Sequence, residues 1–280
     1  MLKIAIPNKG GLSEAASTML REAGYAQRSN SKTLTKLDPD NGVEFFYLRP
    51  RDIALYVGEG TLDAGITGRD LLRDSDAPAS ETLQLGFGRS KFRFAARPGT
   101  ASEVADLAGC RIATSYETVV RRYLDERGID ASVVRLDGAV ETSIHLGVAD
   151  VIADVVETGS TMRAAGLEVF GEVILESEAV VIVRDGADPS ALEIFQRRLQ
   201  GVLVARTYVM MDYDIPEAQV ERAIALTPGH ESPTISALHR EGWVAVRSMV
   251  ARSAAQRVMD DVYAVGARAI LATDIHAARL

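Results

Sequence analysis

VEFFYLRPRDIALYVGEGTLDAGIT (43–67) decides the fold class. VEFFYL (43–48) is rich in aromatic and β-branched residues and reads as a strand. PRDIALYV (50–57) reads as a helix opened by Pro50, whose missing N–H is no loss in a first turn. DAGIT (63–67) reads as the next strand. Strand, helix and strand in succession make a βαβ unit, which places two parallel strands in one sheet.

The same alternation continues in both directions. LKIAI (2–6) reads as a strand. Leu12, Ala15, Ala16, Met19, Leu20 and Ala23 then recur at helical spacing, with Gly24 as a stop. LQLGF (83–87) and FRFAA (92–96) are expected strands. ASEVADL, from about residue 102, is an expected helix, RIATS (111–115) a strand and YETVVRRYLDERG (116–128) a helix. SVVRL (132–136), ETSIHLG (141–147) and DVIADVV (150–156) read as strand, helix and strand. AVVIV (179–183) is a strand, and a long helix follows from about 189 to 205. Apolar strands alternating with helices predict parallel sheets covered by helices. GTLDAGIT (60–67) and GVADVIAD (147–154) share a glycine, then an aspartate three residues on, at the entry to a strand. That echo agrees with two similar α/β lobes whose strand C-termini, at Thr67-Gly68 and Thr158-Gly159, face a cleft.

From about residue 207 the style changes. TYVMMDY (207–213), PEAQVERAIAL (216–226), SPTISAL (232–238), WVAVRSMV (243–250), AAQRVMDDVYAVG (254–266) and ARAILATDI (267–275) read as β-α-β-β-α-β, a ferredoxin-like domain.

Composition bounds the function. The chain has 280 residues, 47% hydrophobic and 25% charged, with a formal net charge of −8. Such a balance disfavours non-specific nucleic-acid binding and still allows a local basic pocket. Cys110 is the single cysteine, so no intrachain disulfide forms and a zinc–thiolate cluster is excluded. The apolar part of MLKIAIPNKG is too short for a signal peptide, and no apolar run reaches the length of a membrane span. These features point to a cytoplasmic protein, with no membrane and no nucleic acid among its partners. His145, His230, His239 and His276 show no metal-ligand spacing.

Four stretches could carry chemistry. Asn8-Lys9-Gly10-Gly11 is a glycine-rich strand-to-helix turn, where Lys9 and nearby amides could meet an anion; it also reads as an ordinary tight turn. Arg49-Pro50-Arg51-Asp52 places two guanidinium groups at the next such turn, which suits phosphate and equally suits a solvated turn. Thr67-Gly68-Arg69-Asp70 adds further polar groups at a strand end. DVVETGST (154–161) is the most specific. Hydroxyls and amides of Thr158, Gly159, Ser160 and Thr161 could hold a phosphomonoester. Asp154 and Glu157 could hold ribose hydroxyls or a hydrated Mg²⁺. The same residues would also serve as a helix N-cap with acids favouring the first turn.

Taken together, IAIPNKGGL (4–12), FFYLRPRDIALYVGEGTLDAGITGRD (45–70), LDGAVETSIHLGVADVIADVVETGSTM (136–162), LTPGHESPTISAL (226–238) and AILATDI (269–275) resemble the long form of the ATP phosphoribosyltransferase family, the first enzymes of histidine biosynthesis. The resemblance spans essentially the whole chain. It implies a two-lobed α/β catalytic region of periplasmic-binding-protein type and a ferredoxin-like α+β regulatory domain. It implies lobe I at 1–90 plus 184–206, lobe II at 91–183, and a histidine-binding domain at 207–280. Transfer of a phosphoribosyl group from phosphoribosyl pyrophosphate to ATP is implied, with Mg²⁺, inhibition by histidine, and assembly through dimers into hexamers. Residues 154–161 would cradle the 5′-phosphate and ribose, with Gly10 at the substrate and Asp154 meeting the metal through water. Lys9, Arg49 and Arg51 would neutralise phosphates beside Asp70, and Glu141 would contact ribose or Mg²⁺. Asp214 would pair with the histidine amino group, near Thr234, Met249 and Ala269. The fold alone would equally suit a non-catalytic two-lobed binding module.

Overall fold

The computed structural model describes residues 1–156 and 159–279, Pro189 by its backbone alone. Glu157 and Thr158, two of the expected substrate residues, lie outside the described residues. In chain order the strands are β1 (Leu2–Pro7), β2 (Thr35–Asp38), β3 (Val43–Leu48), β4 (Ala64–Gly68), β5 (Ala79–Gln84), β6 (Ser90–Ala96), β7 (Arg111–Thr114), β8 (Ser132–Arg135), β9 (Val151–Val156), β10 (Glu168–Ser177), β11 (Ala179–Arg184), β12 (Tyr208–Pro216), β13 (Thr234–Ala237), β14 (Trp243–Ala251) and β15 (Arg268–Asp274). The helices are α1 (Gly11–Glu22), α2 (Pro50–Gly58), α3 (Arg69–Ser75), α4 (Glu117–Glu126), α5 (Glu141–His145), α6 (Ser160–Ala164), α7 (Glu193–Thr207), α8 (Val220–Leu226) and α9 (Ala255–Ala264).

Two sheets build the first part of the chain. The six-stranded sheet has the order β2-β3-β1-β4-β11-β5, and the five-stranded sheet β10-β6-β9-β7-β8. In the first, β1 runs parallel to β3 and β4. In the second, β7 runs parallel to β8 and β9. The inner strands are apolar because helices and chain cover both faces: every residue of β4 is buried, as are Ala179, Val180, Val181 and Ile182 of β11. Ile53, Ala54 and Val57 of α2 pack with Ala5, Val180 and Ile182 in one apolar cluster. Phe92, Phe94, Ile112, Val120 and Leu124 form another under α4.

The chain passes between the sheets twice, after β5 and after β10. The two crossings lie side by side, since the Leu85 amide donates to the Ala179 carbonyl and the Ala179 amide to the Phe87 carbonyl, both at 2.9 Å. This is a two-lobed α/β arrangement, with the second crossing at Ala179. The AVVIV strand expected to close lobe II instead pairs antiparallel with β4 and β5, so the return to lobe I comes earlier than residue 184. Its run of buried β-branched residues suits an inner position in either sheet, which sequence pattern alone does not separate.

Two other expectations shift. The strand expected at 83–87 lies at Ala79–Gln84, half-buried and exposed residues alternating along its edge. Gly86 and Gly88 take left-handed conformations, φ 72° and 64°, and end it as a turn. The helix expected near 102 shrinks to a 3₁₀ turn, Val104–Leu107. Asp106 turns back to accept the Ser102 and Glu103 amides at 2.8 and 3.1 Å, which favours a local turn over helix propagation.

The chain divides into two compact units, Met1–Arg21 with Tyr25–Leu192, and Glu22–Gly24 with Glu193–Leu280. The second holds α7 and a four-stranded sheet in the order β13-β14-β12-β15, antiparallel throughout. With α8 and α9 this is the ferredoxin-like pattern read from the sequence. Val209, Met211, Tyr213 and Ile215 alternate into its core with Val244, Val246 and Val250, the period of two that strand geometry imposes. Beneath them the Tyr213 hydroxyl meets Thr227 Oγ1 at 2.7 Å and Ser248 Oγ donates to the Thr227 carbonyl at 2.8 Å, so the buried polar atoms are satisfied.

Candidate active site

Parallel pairing sends the C-termini of β1, β3 and β4 to one edge of the first sheet. Asn8, Lys9 and Gly10 follow β1, Arg49 and Arg51 follow β3, and Arg69 and Asp70 follow β4. The Asn8 amide donates to the Leu48 carbonyl at 2.8 Å, which aligns the first two turns. Buried Thr67 donates its hydroxyl to the Pro50 carbonyl at 2.8 Å, which aligns the second and third. Lys9 and Arg49 are exposed at this edge, Arg51 is half-buried and Asp70 is buried.

Asp70 is the fixed point of the edge. Its amide donates to Ser177 Oγ at 3.0 Å, and that hydroxyl donates back to Asp70 Oδ1 at 2.8 Å. A Cβ on Gly68 would run into Asp70 Oδ1, so this turn needs glycine for space. On the other sheet, Tyr116 follows β7, and its phenol lies close enough to the Asp70 carboxylate to feel its charge. Burial first, then the Asp70 charge, pushes the Tyr116 phenol far above its usual range, so it stays protonated. The Arg51 guanidinium lies 4.9 Å from the centre of the Tyr116 ring, a cation–π distance. The strand ends of the two lobes therefore meet at Arg51, Asp70 and Tyr116.

The second sheet supplies the pocket. Ala139, Glu141, Asp154, Gly159, Ser160 and Thr161 are among the residues lining a cavity of ≈ 420 Å³, within the range of small-molecule sites. Gly159, at φ 70°, stands at the N-cap of α6. Ala139 is held at φ 50°, a conformation that costs alanine roughly 1–2 kcal/mol. Burial first raises the Asp154 pKa, and the Glu141 and Asp70 carboxylates add to the rise. The Val155 amide, which donates to Asp154 Oδ1 at 2.8 Å, and the Arg51 charge oppose it. A buried carboxylate among like charges suits ribose hydroxyls or a cation.

Among the described residues, no three acidic, histidine or cysteine side chains converge to hold a metal by themselves. The donor set would suit a Mg²⁺ that keeps its waters, with Asp154 the residue that would hold it through one of them. A second cavity of ≈ 400 Å³, lined by Arg89, Lys91, Val156 and Ser177 among others, opens beside the first. A larger one, ≈ 610 Å³, lies along the exposed edge of β5 beside Arg69 and Arg73, where Arg69 is occupied by a two-pronged bond to Glu81 at 2.7 and 2.8 Å.

The structure thus brings Glu141, Asp154, Gly159, Ser160 and Thr161 into one pocket, and sets Lys9, Gly10, Arg49, Arg51 and Asp70 on one sheet edge. Tyr116, Ser177 and Ala139 carry no motif, and sequence reasoning missed them. Tyr116 had one usable signal, its place directly after a strand that the alternation reads as parallel. In the second unit Asp214, Thr234 and Met249 share the sheet face opposite the core, because Asp212 pairs with Arg247, Arg247 with Thr234 and Met210 with Met249. Four positions separate the rows of Asp214 and Met249, about 13 Å along the strand. Ala269 lies on the neighbouring strand in a left-handed conformation, φ 49°.

Comparison with known proteins fits this geometry. The family profile described as HisG, ATP phosphoribosyltransferase, matches residues 49–201, and the HisG C-terminal domain profile matches 205–277. The ATP phosphoribosyltransferase of Streptomyces avermitilis is 67% identical over all of both chains, and that of an Arthrobacter strain is 61% identical over the same extent. Among solved structures, the ATP phosphoribosyl transferase HisG:HisZ complex from Thermotoga maritima aligns at TM-score 0.63 and 28% identity. That alignment covers 72% of this chain and 98% of the other. A putative L-cystine ABC transporter from Listeria monocytogenes aligns at TM-score 0.51 and 11% identity over 74% of this chain and 90% of that one, which extends the likeness to the two-lobed binding-protein fold alone. With both profiles and full-length relatives in agreement, the chain belongs to the ATP phosphoribosyltransferase family, the enzymes of the first step of histidine biosynthesis.

Proposed function

We propose that the ≈ 420 Å³ pocket holds phosphoribosyl pyrophosphate and that the opposite sheet edge brings ATP to it. The observation that carries this reading is the convergence of Glu141, Asp154, Gly159, Ser160 and Thr161 on that one cavity. Amides and hydroxyls of residues 159–161 bind the 5′-phosphate, and Asp154 and Glu141 take ribose hydroxyls. Lys9, Arg49 and Arg51 face the pyrophosphate and the ATP phosphates. A Mg²⁺ held there through Asp154 would supply charge neutralisation to the pyrophosphate.

The reaction asks little acid–base chemistry of the protein. The N1 lone pair of adenine is free at neutral pH, so it forms the new C–N bond to ribose C1 without a general base. The C1–O bond to pyrophosphate breaks, and its electron pair leaves on the pyrophosphate. Positive charge develops on the ribose and negative charge on the leaving group. Carboxylates on one side and guanidinium and ammonium groups on the other meet that separation, so catalysis is positioning and electrostatics. We also propose that histidine binds the second unit near Asp214 and inhibits, and that the chain assembles through dimers into hexamers.

The test is product formation from ATP and phosphoribosyl pyrophosphate with Mg²⁺ and pyrophosphatase, with and without histidine. Turnover suppressed by histidine is the expected result. Turnover indifferent to histidine would remove the regulatory part. A folded enzyme that turns over normally with both Glu141 and Asp154 replaced by alanine would overturn the pocket assignment.

A further inference from the structure

Helix α4 starts without a cap of its own. Tyr116 occupies its N-cap position and makes no side-chain bond to the first turn, although those amides have no partner inside a helix. The partner comes from the other lobe. The Thr118 amide donates to Asp74 Oδ1 at 3.0 Å, and Asp74 lies in α3. The other oxygen of the same carboxylate, Oδ2, accepts Arg51 Nη1 at 2.6 Å. The Asp74 side chain is only 9% exposed, against 35% for Arg51. A second bond crosses between the same two helices, Arg122 to Asp76 at 3.0 Å, but those side chains are 48% and 75% exposed, where ion pairs contribute little. Beside the buried Asp70–Ser177 pair, Asp74 is therefore a second interlobe contact with energetic weight: it is buried, charge-assisted and used at both oxygens.

Its position matters because of where its two partners lead. Arg51 stands at the sheet edge of lobe I, over the ring of Tyr116. Thr118 opens the helix that follows Tyr116 in lobe II. Arg51 has donors beyond the one spent on Asp74, and those remain for an anion. Holding the guanidinium before the anion arrives removes part of the ordering cost of binding. The link runs both ways, since whatever orders Arg51 must equally order what Arg51 holds.

We propose that Asp74 is a positioning residue that couples anion capture by Arg51 to the docking of α4 against α3. The proposal rests on the reading of Arg51 as an anion-binding group. It says that one carboxylate transmits occupancy of the phosphate edge in lobe I to the first turn of a lobe II helix.

The test uses the full-length enzyme and inorganic pyrophosphate as the probe. Hydrogen exchange at the start of α4 and the pyrophosphate Kd are measured for wild type, Asp74→Asn, Asp74→Ala and Arg51→Ala. The asparagine variant keeps an oxygen for the Thr118 amide and loses the charge on Arg51, so it separates the two bonds. In wild type, pyrophosphate slows exchange at the start of α4. In Asp74→Asn that response disappears and the Kd rises about tenfold, the scale of a hydrogen bond to a charged group. Asp74→Ala exchanges faster there even without ligand. An Asp74→Asn enzyme with unchanged Kd and an intact exchange response, beside an Arg51→Ala enzyme with weakened binding, would overturn the coupling and leave Arg51 in the site. An Arg51→Ala enzyme that binds pyrophosphate as wild type does would overturn the site reading of Arg51 and the coupling with it.

Discussion

At the scale of single residues, Asp154 shows what the site costs. Its folded pKa is raised above the ordinary 3.8, by burial first and by Glu141 and Asp70 after it. Its contribution to stability is therefore fullest below that ordinary value and is lost as pH rises through the folded value. At neutral pH the ionised side chain is a burden that binding has to justify. Asp154→Asn keeps an acceptor for the Val155 amide and removes the charge. It should raise Tm at pH 8 by about 2–4 °C, with the gain shrinking toward acid pH, while the KM for phosphoribosyl pyrophosphate rises. Thermal melts across pH together with steady-state kinetics check both halves. Gly68→Ala should act differently: a Cβ there displaces the Asp70 carboxylate from Ser177 and should lower kcat/KM by about 10–100-fold with the fold retained. Asp154 is legible in the sequence because it stands at a strand end that pattern reveals, whereas Glu141 comes only with the family resemblance. Ser177 is not, because its meaning comes from a strand crossing that sets it against Asp70, 107 residues earlier.

At the scale of elements, most strands are read nearly to their ends, the edge strands β8 and β15 included, while β2 and β5 at the edges of the first sheet are not. β4 is buried throughout, and β1, β7 and β9 over at least three consecutive residues, so their apolar runs are long enough to recognise. β5 lies at a sheet edge with its residues only partly covered, and the apolar residues that drew the expectation, in LQLGF, belong to its end and to the turn beyond. The closing strand β15 has a comparable hidden feature. Its register with β12 shifts between Asp212 and Asp214, and Ala269 takes φ 49° within the shifted stretch, the signature of a bulge whose first residue prefers glycine. A left-handed alanine costs roughly 1–2 kcal/mol, and glycine's extra chain freedom takes back about 0.5–1 kcal/mol. Ala269→Gly should therefore stabilise the second unit by a few tenths to about 1 kcal/mol, seen as a higher urea midpoint with an unchanged slope.

At the scale of the whole molecule, the phosphate chemistry and the ferredoxin-like sheet belong to different compact units. Inhibition by histidine, if it acts through the second unit, requires histidine to prefer one global state over another. Asp214→Ala should raise the histidine concentration for half-inhibition about tenfold, the loss of one charge-assisted contact, each variant being compared with its own uninhibited rate. An unchanged half-inhibition point would take Asp214 out of the effector site. Lys9→Ala and Arg49→Ala, in the first unit, should lower kcat/KM about tenfold or more, with histidine sensitivity untouched; unaltered kinetics in both would remove the anion role from that edge.

By itself the sequence determined the alternation of strand and helix, the change of style near residue 207, and the place of Asp154 at one strand end with Gly159 to Thr161 at the start of the next helix, because hydrophobic period and turn chemistry are local properties. Tertiary structure alone decided which sheet receives AVVIV, that Ser177 locks Asp70 with Tyr116 close by, and that one carboxylate at Asp74 serves both Arg51 and the start of α4. Those are contacts between residues far apart in the chain, and a local pattern holds no information about which distant neighbour will satisfy a buried polar atom.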